Sequence, residues 1–90
     1  MFTRQATIAS SVGLHARPAN IFIKAVAATG VPVTIAKVGG APVDARSLLL
    51  VMTQGIKNGD VVTLAAEGEG AEAALDSLVE LLETDLDELP

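Results

Sequence analysis

The 90-residue chain contains two apolar stripes at helical spacing, one in each half, and they limit the folds that it can adopt. Each stripe follows the spacing i, i+3, i+4, i+7, with Ala19, Phe22, Ile23 and Val26 in the first and Leu75, Leu78, Val79 and Leu82 in the second. This spacing predicts one helix over about 16–29, ended by Gly30, and another that begins at Ala71. Because such a helix buries only one side, both helices need an apolar surface to pack against.

Extended runs in the rest of the chain predict that surface. Alternating or β-branched residues predict strands at 2–8, 31–37, 41–44 and 61–66, with Pro32 at a strand beginning or on an edge. Gly39 and Gly40 separate the second run from the third, so these two should pair antiparallel in a hairpin. The fourth run is apolar enough to be central. The order β-α-β-β-α-β-α predicts an α+β open sandwich, in which helices cover one face of a four-stranded antiparallel sheet.

A short apolar helix is predicted before the fourth strand, with Ser47 as its N-cap and Gly55 as its C-cap. Residues 48–52 are five consecutive large apolar residues, and so short a helix cannot turn all of them inward. Some of Leu48, Leu49 and Met52 should therefore be exposed. Exposed apolar residues indicate a partner surface, and a tightly buried short helix is the alternative that the sequence leaves open.

The only histidine, His15, lies in the stretch 13–20, which reads GLHARPAN. Gly13 permits a sharp turn and Pro18 is tolerated in the first turn of a helix, so a helix should begin close to His15. The positive end of that helix favours an anion, and Arg17 can hold a phosphate or carboxylate through two parallel hydrogen bonds. These residues predict a nucleophile beside an anion-binding position.

Composition excludes several classes of protein. The chain has no cysteine, so disulfides and thiolate metal sites are excluded. No apolar run approaches the roughly 20 residues of a membrane span, and residues 1–12 do not resemble a signal peptide, so we expect a cytoplasmic protein without membrane insertion. Phe2 and Phe22 are the only aromatic residues and the net charge is −5, which argues against nucleic acid as a partner. The length fits one domain, 1–90.

Charge is distributed unevenly along the chain. Residues 1–66 hold all six basic residues and two acids, a balance of +4, whereas the remaining residues hold nine acids and no base, a balance of −9. We expect two faces of opposite sign, with His15 on the positive one and suited to acidic partners; a solvated acidic helix is the alternative. Acidic residues at the end of the last helix predict fraying from about Thr84 to Pro90.

The stretch 13–19, GLHARPA followed by a helix, resembles the active-site motif of the HPr family, the histidine-containing phosphocarriers of the bacterial phosphoenolpyruvate-dependent sugar phosphotransferase system. The Arg46-Ser47 pair before an apolar helix and the turns at 55–60 (GIKNGD) and 65–68 (AAEG) resemble features of that family too. The resemblance covers essentially the whole chain. It implies an HPr-like open-faced β-sandwich and a single phosphocarrier domain over 1–90.

The resemblance implies a stoichiometric carrier rather than an enzyme, with a phosphohistidine intermediate. Phosphorylated Enzyme I would transfer a phosphoryl group to Nδ1 of His15, which would pass it to the IIA domains of sugar permeases. Arg17 would balance the charge of the group in transfer, and the start of the helix at Ala16, Arg17 and Pro18 would bind its oxygens. No cofactor and no metal are implied. A monomer is expected, because a shuttle presents one face to successive partners.

The resemblance also implies a docking face formed by the first helix and the short helix. The residues that correspond to it are Ala16, Arg17, Asn20, Lys24, Leu48, Leu49, Met52 and Thr53. Ser47 matches a serine that a dedicated kinase phosphorylates in some bacteria, although Arg46 stands where the family often has lysine. A plain N-cap is the alternative role for Ser47.

Other functions stay open on the sequence alone. A carrier for a nitrogen-related or fructose-dedicated branch of the same system differs only in its choice of partner, so neither the branch nor the sugars served follow from the residues. An acylphosphatase-type hydrolase could bind phosphate through Arg17 and Asn20. A binding-only regulator on the same fold would lack a phosphorylatable histidine, and the presence of His15 argues against it.

Overall fold

The computed structural model describes residues 1–86, in which three helices cover one face of a four-stranded antiparallel sheet. The elements are β1 (Phe2–Thr7), α1 (Ala16–Thr29), β2 (Val33–Lys37), β3 (Val43–Asp44), α2 (Leu48–Thr53), β4 (Val61–Ala66) and α3 (Ala71–Leu82). The predicted element order and the α+β open-sandwich architecture are confirmed. The limits of α1 also match the prediction, and Gly30 caps this helix in the left-handed conformation.

The strands follow the spatial order β1-β4-β2-β3. Strand β4 pairs antiparallel with both β1 and β2, so that Val62 lies opposite Ala6 and Leu64 lies opposite Ile35. The predicted central place of this strand is confirmed. Because β1 and β2 are each antiparallel to β4, they run parallel to each other, and α1 connects them across the helical face.

The core lies between the sheet and the helices. Alternate residues of β4, Val62 and Leu64 among them, are buried against the helical face. Helix α1 contributes Phe22 and Val26 from its predicted apolar stripe, and the second predicted stripe is buried in the same way except for a half-buried Val79. The two stripes therefore anchor α1 and α3 to the sheet and fix the place where α1 begins.

Element boundaries differ from the prediction at several positions. Strand β2 begins at Val33, two residues later than predicted, because Pro32 has no N–H group for the sheet. Strand β3 is reduced to Val43–Asp44. The C-cap of α2 is Gln54 rather than Gly55, and Gly55 follows it with a φ of +65°. Glycine is favoured at the position after a C-cap for this left-handed conformation, so the glycine signal was displaced by one residue.

The predicted fraying from Thr84 is wrong for residues 84–86. Leu86 is 0% exposed, and its backbone N–H donates to Oγ of Ser10, a buried side chain, at 3.0 Å. Burying a leucine contributes about 2 kcal/mol. Each unfavourable charge at an exposed helix end costs only about 0.5 kcal/mol. Residues 87–90, also included in that prediction, lie outside the described residues.

The separation of charge into two faces is incomplete. Arg4 of β1 contacts Asp76 of α3, with 3.0 Å between Nε and Oδ1, and lies 3.9 Å from Glu72. The cause is topological, since β1 packs directly against α3. Arg4 was counted with the positive part of the chain, yet its side chain contacts the acidic helix α3.

Candidate functional site

His15 is the N-cap residue of α1. Its backbone is extended, with φ −107° and ψ 157°, and its side chain makes no capping hydrogen bond. Its carbonyl oxygen accepts the first helical hydrogen bond, from the N–H of Ala19 at 3.2 Å. The residue is exposed, as are Ala16 and Arg17 after it. The fold thus presents an imidazole at the positive end of a helix, as the sequence predicted.

Ala16 has a φ of +23°, and within residues 1–86 it is the one residue other than glycine with a positive φ. Residues with a Cβ rarely adopt this backbone conformation, so the backbone directly after His15 is strained. The strained residue lies where the loop turns into the helix. Sequence reasoning missed this feature, because alanine gives no signal for a left-handed backbone.

The loop before His15 is held tightly against the segment that follows α2. Gly13 has a φ of +72°, and a Cβ at this position would lie 2.7 Å from Cα of Lys57. Buried Leu14 donates its N–H to the carbonyl oxygen of Ile56 at 3.1 Å. Gly13 therefore serves the predicted turn and also allows two backbone segments to touch.

Charged groups fix the turn that supports this loop. The N–H of Lys57 donates to Oδ2 of Asp60 at 2.8 Å, and Nζ of Lys37 lies 3.3 Å from the same oxygen. The backbone hydrogen bond is the larger influence, and together with Lys37 it holds the pKa of Asp60 below its usual value. Lys37 also donates to the carbonyl oxygen of Gly55 at 3.2 Å. The segment 55–60 is thus tied to the sheet beside the loop that carries His15.

The other predicted residues of α1 divide into exposed and buried groups. Asn20 and Lys24 are exposed, and the successive steps of four residues from Ala16 to Asn20 and from Asn20 to Lys24 place all three on one side of the helix. Pro18 is buried, and proline has no N–H to offer an anion, so its part in the predicted phosphate site is limited to backbone shape. Arg17 supplies the cationic side chain at this end of the helix.

Helix α2 packs beside α1 and exposes part of its apolar run. Leu49 is 73% exposed and Leu50 is 41% exposed, whereas Leu48 and Met52 are half-buried against the core. The predicted exposure is therefore confirmed for Leu49. Thr53 is exposed as well.

Two exposed apolar residues that are close in sequence to Leu49 or His15, namely Leu50 and Val12, were absent from the predicted docking face. Leu50 belongs to the apolar run 48–52, so the same limit on burial that predicted exposed residues in this run also applied to Leu50. Val12, 55% exposed, lies three residues before His15, and a lone valine in a turn carries no such signal.

Ser47 caps α2, as predicted. Its Oγ accepts a hydrogen bond from the N–H of Leu50 at 3.3 Å. The preceding Arg46 contacts Asp44, with 3.3 Å from Nε to Oδ1, and a hydrogen bond from the Arg46 side chain is the main influence that lowers the pKa of Asp44. Side-chain hydrogen bonds of Asp44, Arg46 and Ser47 therefore order the start of α2.

Within residues 1–86, the His, Asp and Glu side chains form no group of three or more that could hold a metal ion. No helix in that part of the chain combines the length and the apolar content needed to cross a membrane.

Comparison with known proteins settles the family. The family model described as "PTS HPr component phosphorylation site" matches residues 2–84. The chain belongs to the HPr family. Phosphocarrier protein HPr of Streptomyces coelicolor is 51% identical over 90 residues, which cover 100% of this chain and 97% of that protein. HPr of Vibrio cholerae is 37% identical over 83 residues, or 92% of this chain and 96% of its own length.

The solved structures agree with the assignment. The crystal structure of HPr-C-His from Thermoanaerobacter tengcongensis has a TM-score of 0.89 and 33% identity, and the match covers 100% of both chains. The resemblance to HPr and the HPr-like open-faced sandwich are confirmed. The chain is a member of the phosphocarrier family of the phosphotransferase system.

Proposed function

We propose that this HPr-family chain is the general phosphocarrier of a sugar phosphotransferase system. It accepts a phosphoryl group from phosphorylated Enzyme I on Nδ1 of His15 and donates it to IIA domains of sugar permeases. It acts as a stoichiometric carrier, because each transfer consumes one form of the chain and the next transfer restores it. The observation that supports the proposal most is the exposed His15 at the start of α1, whose side chain is not used to cap the helix.

Imidazole chemistry suits both transfers. Neutral imidazole is a nucleophile near neutral pH, so a P–N bond can form at His15 while the bond to the donor breaks. The phosphoryl group carries negative charge through the transfer, and the positive end of α1 and the Arg17 guanidinium stabilise it. In the second step the P–N bond breaks as the acceptor on the IIA domain takes the group, and His15 returns to its free form.

The docking surface in this proposal combines α1 and α2. Helix α1 supplies the exposed polar and basic residues Arg17, Asn20 and Lys24. Helix α2, which packs against α1, supplies the exposed apolar residues Leu49 and Leu50. Such a surface suits partners that carry an acidic rim around an apolar centre. Complexes of this kind form and separate quickly, as a carrier needs. The proposal includes a monomer with one domain that works in the cytoplasm.

The test is mass spectrometry after incubation of the purified chain with Enzyme I, Mg²⁺ and phosphoenolpyruvate. We expect one added phosphoryl group that is lost in acid, and none on a His15→Ala variant. No addition in the presence of a demonstrably active Enzyme I would overturn the proposal. A second incubation with IIA domains from the sugar, nitrogen-related and fructose branches identifies the branch by the acceptor that takes the group.

A further inference from the structure

The turn at 57–60 carries an asparagine whose side chain reaches the loop before His15. Nδ2 of Asn58 lies 3.4, 3.2 and 3.2 Å from the carbonyl oxygens of Ile8, Ala9 and Ser10. Carbonyl oxygens only accept hydrogen bonds, so the amide nitrogen must face them. That nitrogen has two hydrogens, and the two shorter contacts, to Ala9 and Ser10, are the ones it best satisfies.

One of these carbonyls also closes the turn that leads to His15. The carbonyl oxygen of Ser10 accepts the N–H of Gly13 at 2.9 Å in addition to the Asn58 amide. His15 follows two residues after Gly13. The Asn58 side chain therefore binds the same carbonyl oxygen that closes the turn directly before His15, the proposed phosphoacceptor.

Backbone hydrogen bonds also join the turn to Ile8, which directly precedes this loop. Ile8 exchanges backbone hydrogen bonds with the turn, from its N–H to the carbonyl oxygen of Asp60 at 2.9 Å and from the N–H of Gly59 to its own carbonyl oxygen at 2.8 Å. Further along the loop, the N–H of Leu14 donates to the carbonyl oxygen of Ile56. Between these two attachment points the N–H of Ala9 donates to the carbonyl oxygen of Leu82 at 3.1 Å, and the Asn58 amide adds the direct link from Ala9 and Ser10 to the turn.

We propose that Asn58 is a positioning residue for phosphoryl transfer, which holds the loop 9–14 so that the His15 imidazole meets the incoming phosphoryl group in a reactive geometry. This inference rests on the proposed function. Asn58 lies outside α1 and α2, which form the proposed docking surface, and its side chain is hydrogen-bonded to the loop. A displacement of a reacting group by about 1 Å can lower a rate by up to roughly a hundredfold. A hydrogen bond that holds the loop in place can therefore affect the rate of transfer.

Steady-state transfer from Enzyme I tests the inference, with Asn58→Ala and Asn58→Asp as variants. Asn58→Ala removes the donor, and we expect a kcat about tenfold lower with an unchanged KM for the carrier, because the docking surface is intact. Asn58→Asp keeps the shape but turns carboxylate oxygens toward the carbonyls, and its kcat should fall at least as far. Asn58→Gln keeps an amide donor on a longer side chain and should recover part of the loss.

The matched control is Thr29→Ala at the far end of α1. Oγ1 of Thr29 donates to the carbonyl oxygen of Val26 at 2.7 Å, so this variant also loses a side-chain hydrogen bond but does not touch the loop. Its kcat should stay within about twofold of the wild-type value. All rates are measured well below the melting temperature of each variant, so that loss of folded protein does not enter the comparison.

A second measurement reports on the loop without any partner. Hydrogen exchange of the Gly13 and Leu14 amides, followed by NMR in the unphosphorylated protein, should be about tenfold faster in Asn58→Ala and unchanged in Thr29→Ala. A wild-type chain that accepts no phosphoryl group overturns the proposed function and this inference with it. An active wild type together with a normal kcat in Asn58→Ala, or a low kcat with wild-type exchange at both amides, overturns the positioning role alone.

Discussion

Helices α1 and α2 lie side by side, yet their N-terminal ends are built differently. In α2 the N-cap Ser47 accepts a hydrogen bond from Leu50, the third residue of the helix. The third residue of α1 is Pro18, which has no N–H to give, and the N-cap His15 makes no such bond. One helix start is completed by its own side chain. The other leaves the positive end of the helix, and the residue before it, available for an external anion.

The difference separates stability from function along one surface. A capping serine is worth about 1 kcal/mol of folding stability, and α1 does without that contribution. Helix α1 also begins at Ala16 with a strained backbone. Its position is held instead by core burial of Phe22 and Val26, together with the contacts of Gly13 and Leu14 to segment 56–57. Local stabilisation is therefore missing where the chemistry is proposed, and the surrounding packing replaces it.

Replacing each of the two N-cap residues with alanine should give the largest contrast, because one variant loses phosphoryl transfer and the other loses stability. His15→Ala should abolish phosphoryl acceptance and change the free energy of unfolding by less than about 0.5 kcal/mol, because no capping bond is lost. Ser47→Ala should lower the free energy of unfolding by about 1 kcal/mol and leave transfer nearly unchanged. Urea denaturation gives the free energy of unfolding of each variant, and the transfer assay gives its rate of phosphoryl transfer. A large loss of stability in His15→Ala would contradict the proposed difference between the two helix starts.

The cationic side of the α1 terminus should carry the next largest effect. Arg17→Gln removes the side chain proposed to balance the phosphoryl charge, so we expect the kcat for transfer from Enzyme I to fall roughly a hundredfold. Lys24→Gln removes a charge two turns further along the same helix. It should change kcat by less than about threefold and act mainly on KM. Equal effects of the two substitutions would mean that Arg17 contributes only to docking.

Charge added to the α2 terminus should have a smaller kinetic effect. Ser47→Asp keeps a capping side chain and places a negative charge in the docking surface, so transfer from Enzyme I should slow by about tenfold. Ser47→Asn is the matched control, because it caps the helix without the charge and should transfer at the wild-type rate. If Ser47→Asp also transfers at the wild-type rate, a regulatory phosphorylation at this position loses its basis.

The smallest expected effect is a pH dependence of stability from Asp60, which supports the loop before His15. Its pKa in the folded chain lies below the unfolded value of about 3.9, so the unfolded chain binds the proton more readily. The stabilisation is complete above the unfolded pKa and is lost as the pH falls through the folded pKa. Thermal unfolding at a series of pH values below about 5 should show a shallower decline for Asp60→Asn than for the wild type. Parallel curves would remove Asp60 from the support of this turn.

Local signals in the sequence were sufficient for most of the fold. Both apolar stripes placed their helices correctly, and Gly30 marked the end of α1, because a residue in the left-handed conformation at a helix end favours glycine over other residues. The exposure of Leu49 followed from a simple limit on how many large residues a short helix can bury. These features depend on neighbours within a few positions along the chain.

Features that depend on distant contacts were not predictable in the same way. Leu86 is held by Ser10 across 76 positions, and Asn58 reaches the loop across 48 to 50 positions. Arg4 lies against α3 because the two elements pack in space, which its own neighbourhood does not indicate. The strain at Ala16 is imposed by the junction of loop and helix, since alanine by itself avoids that conformation. The proposed site residues His15 and Arg17 were predicted from their motif, whereas the contacts that support the loop before them were not.

The sheet order has a consequence for the chain during synthesis. Strand β1 pairs with β4, which follows only at residues 61–66, and the loop before His15 contacts segment 56–60. At translation rates of roughly 5–20 residues per second, the interval between the emergence of these partners is on the order of seconds. For that interval a nascent chain already displays His15 without its structural support. Under the proposed function, the competence to carry a phosphoryl group is therefore acquired only when the last strand has left the ribosome and closed the sheet.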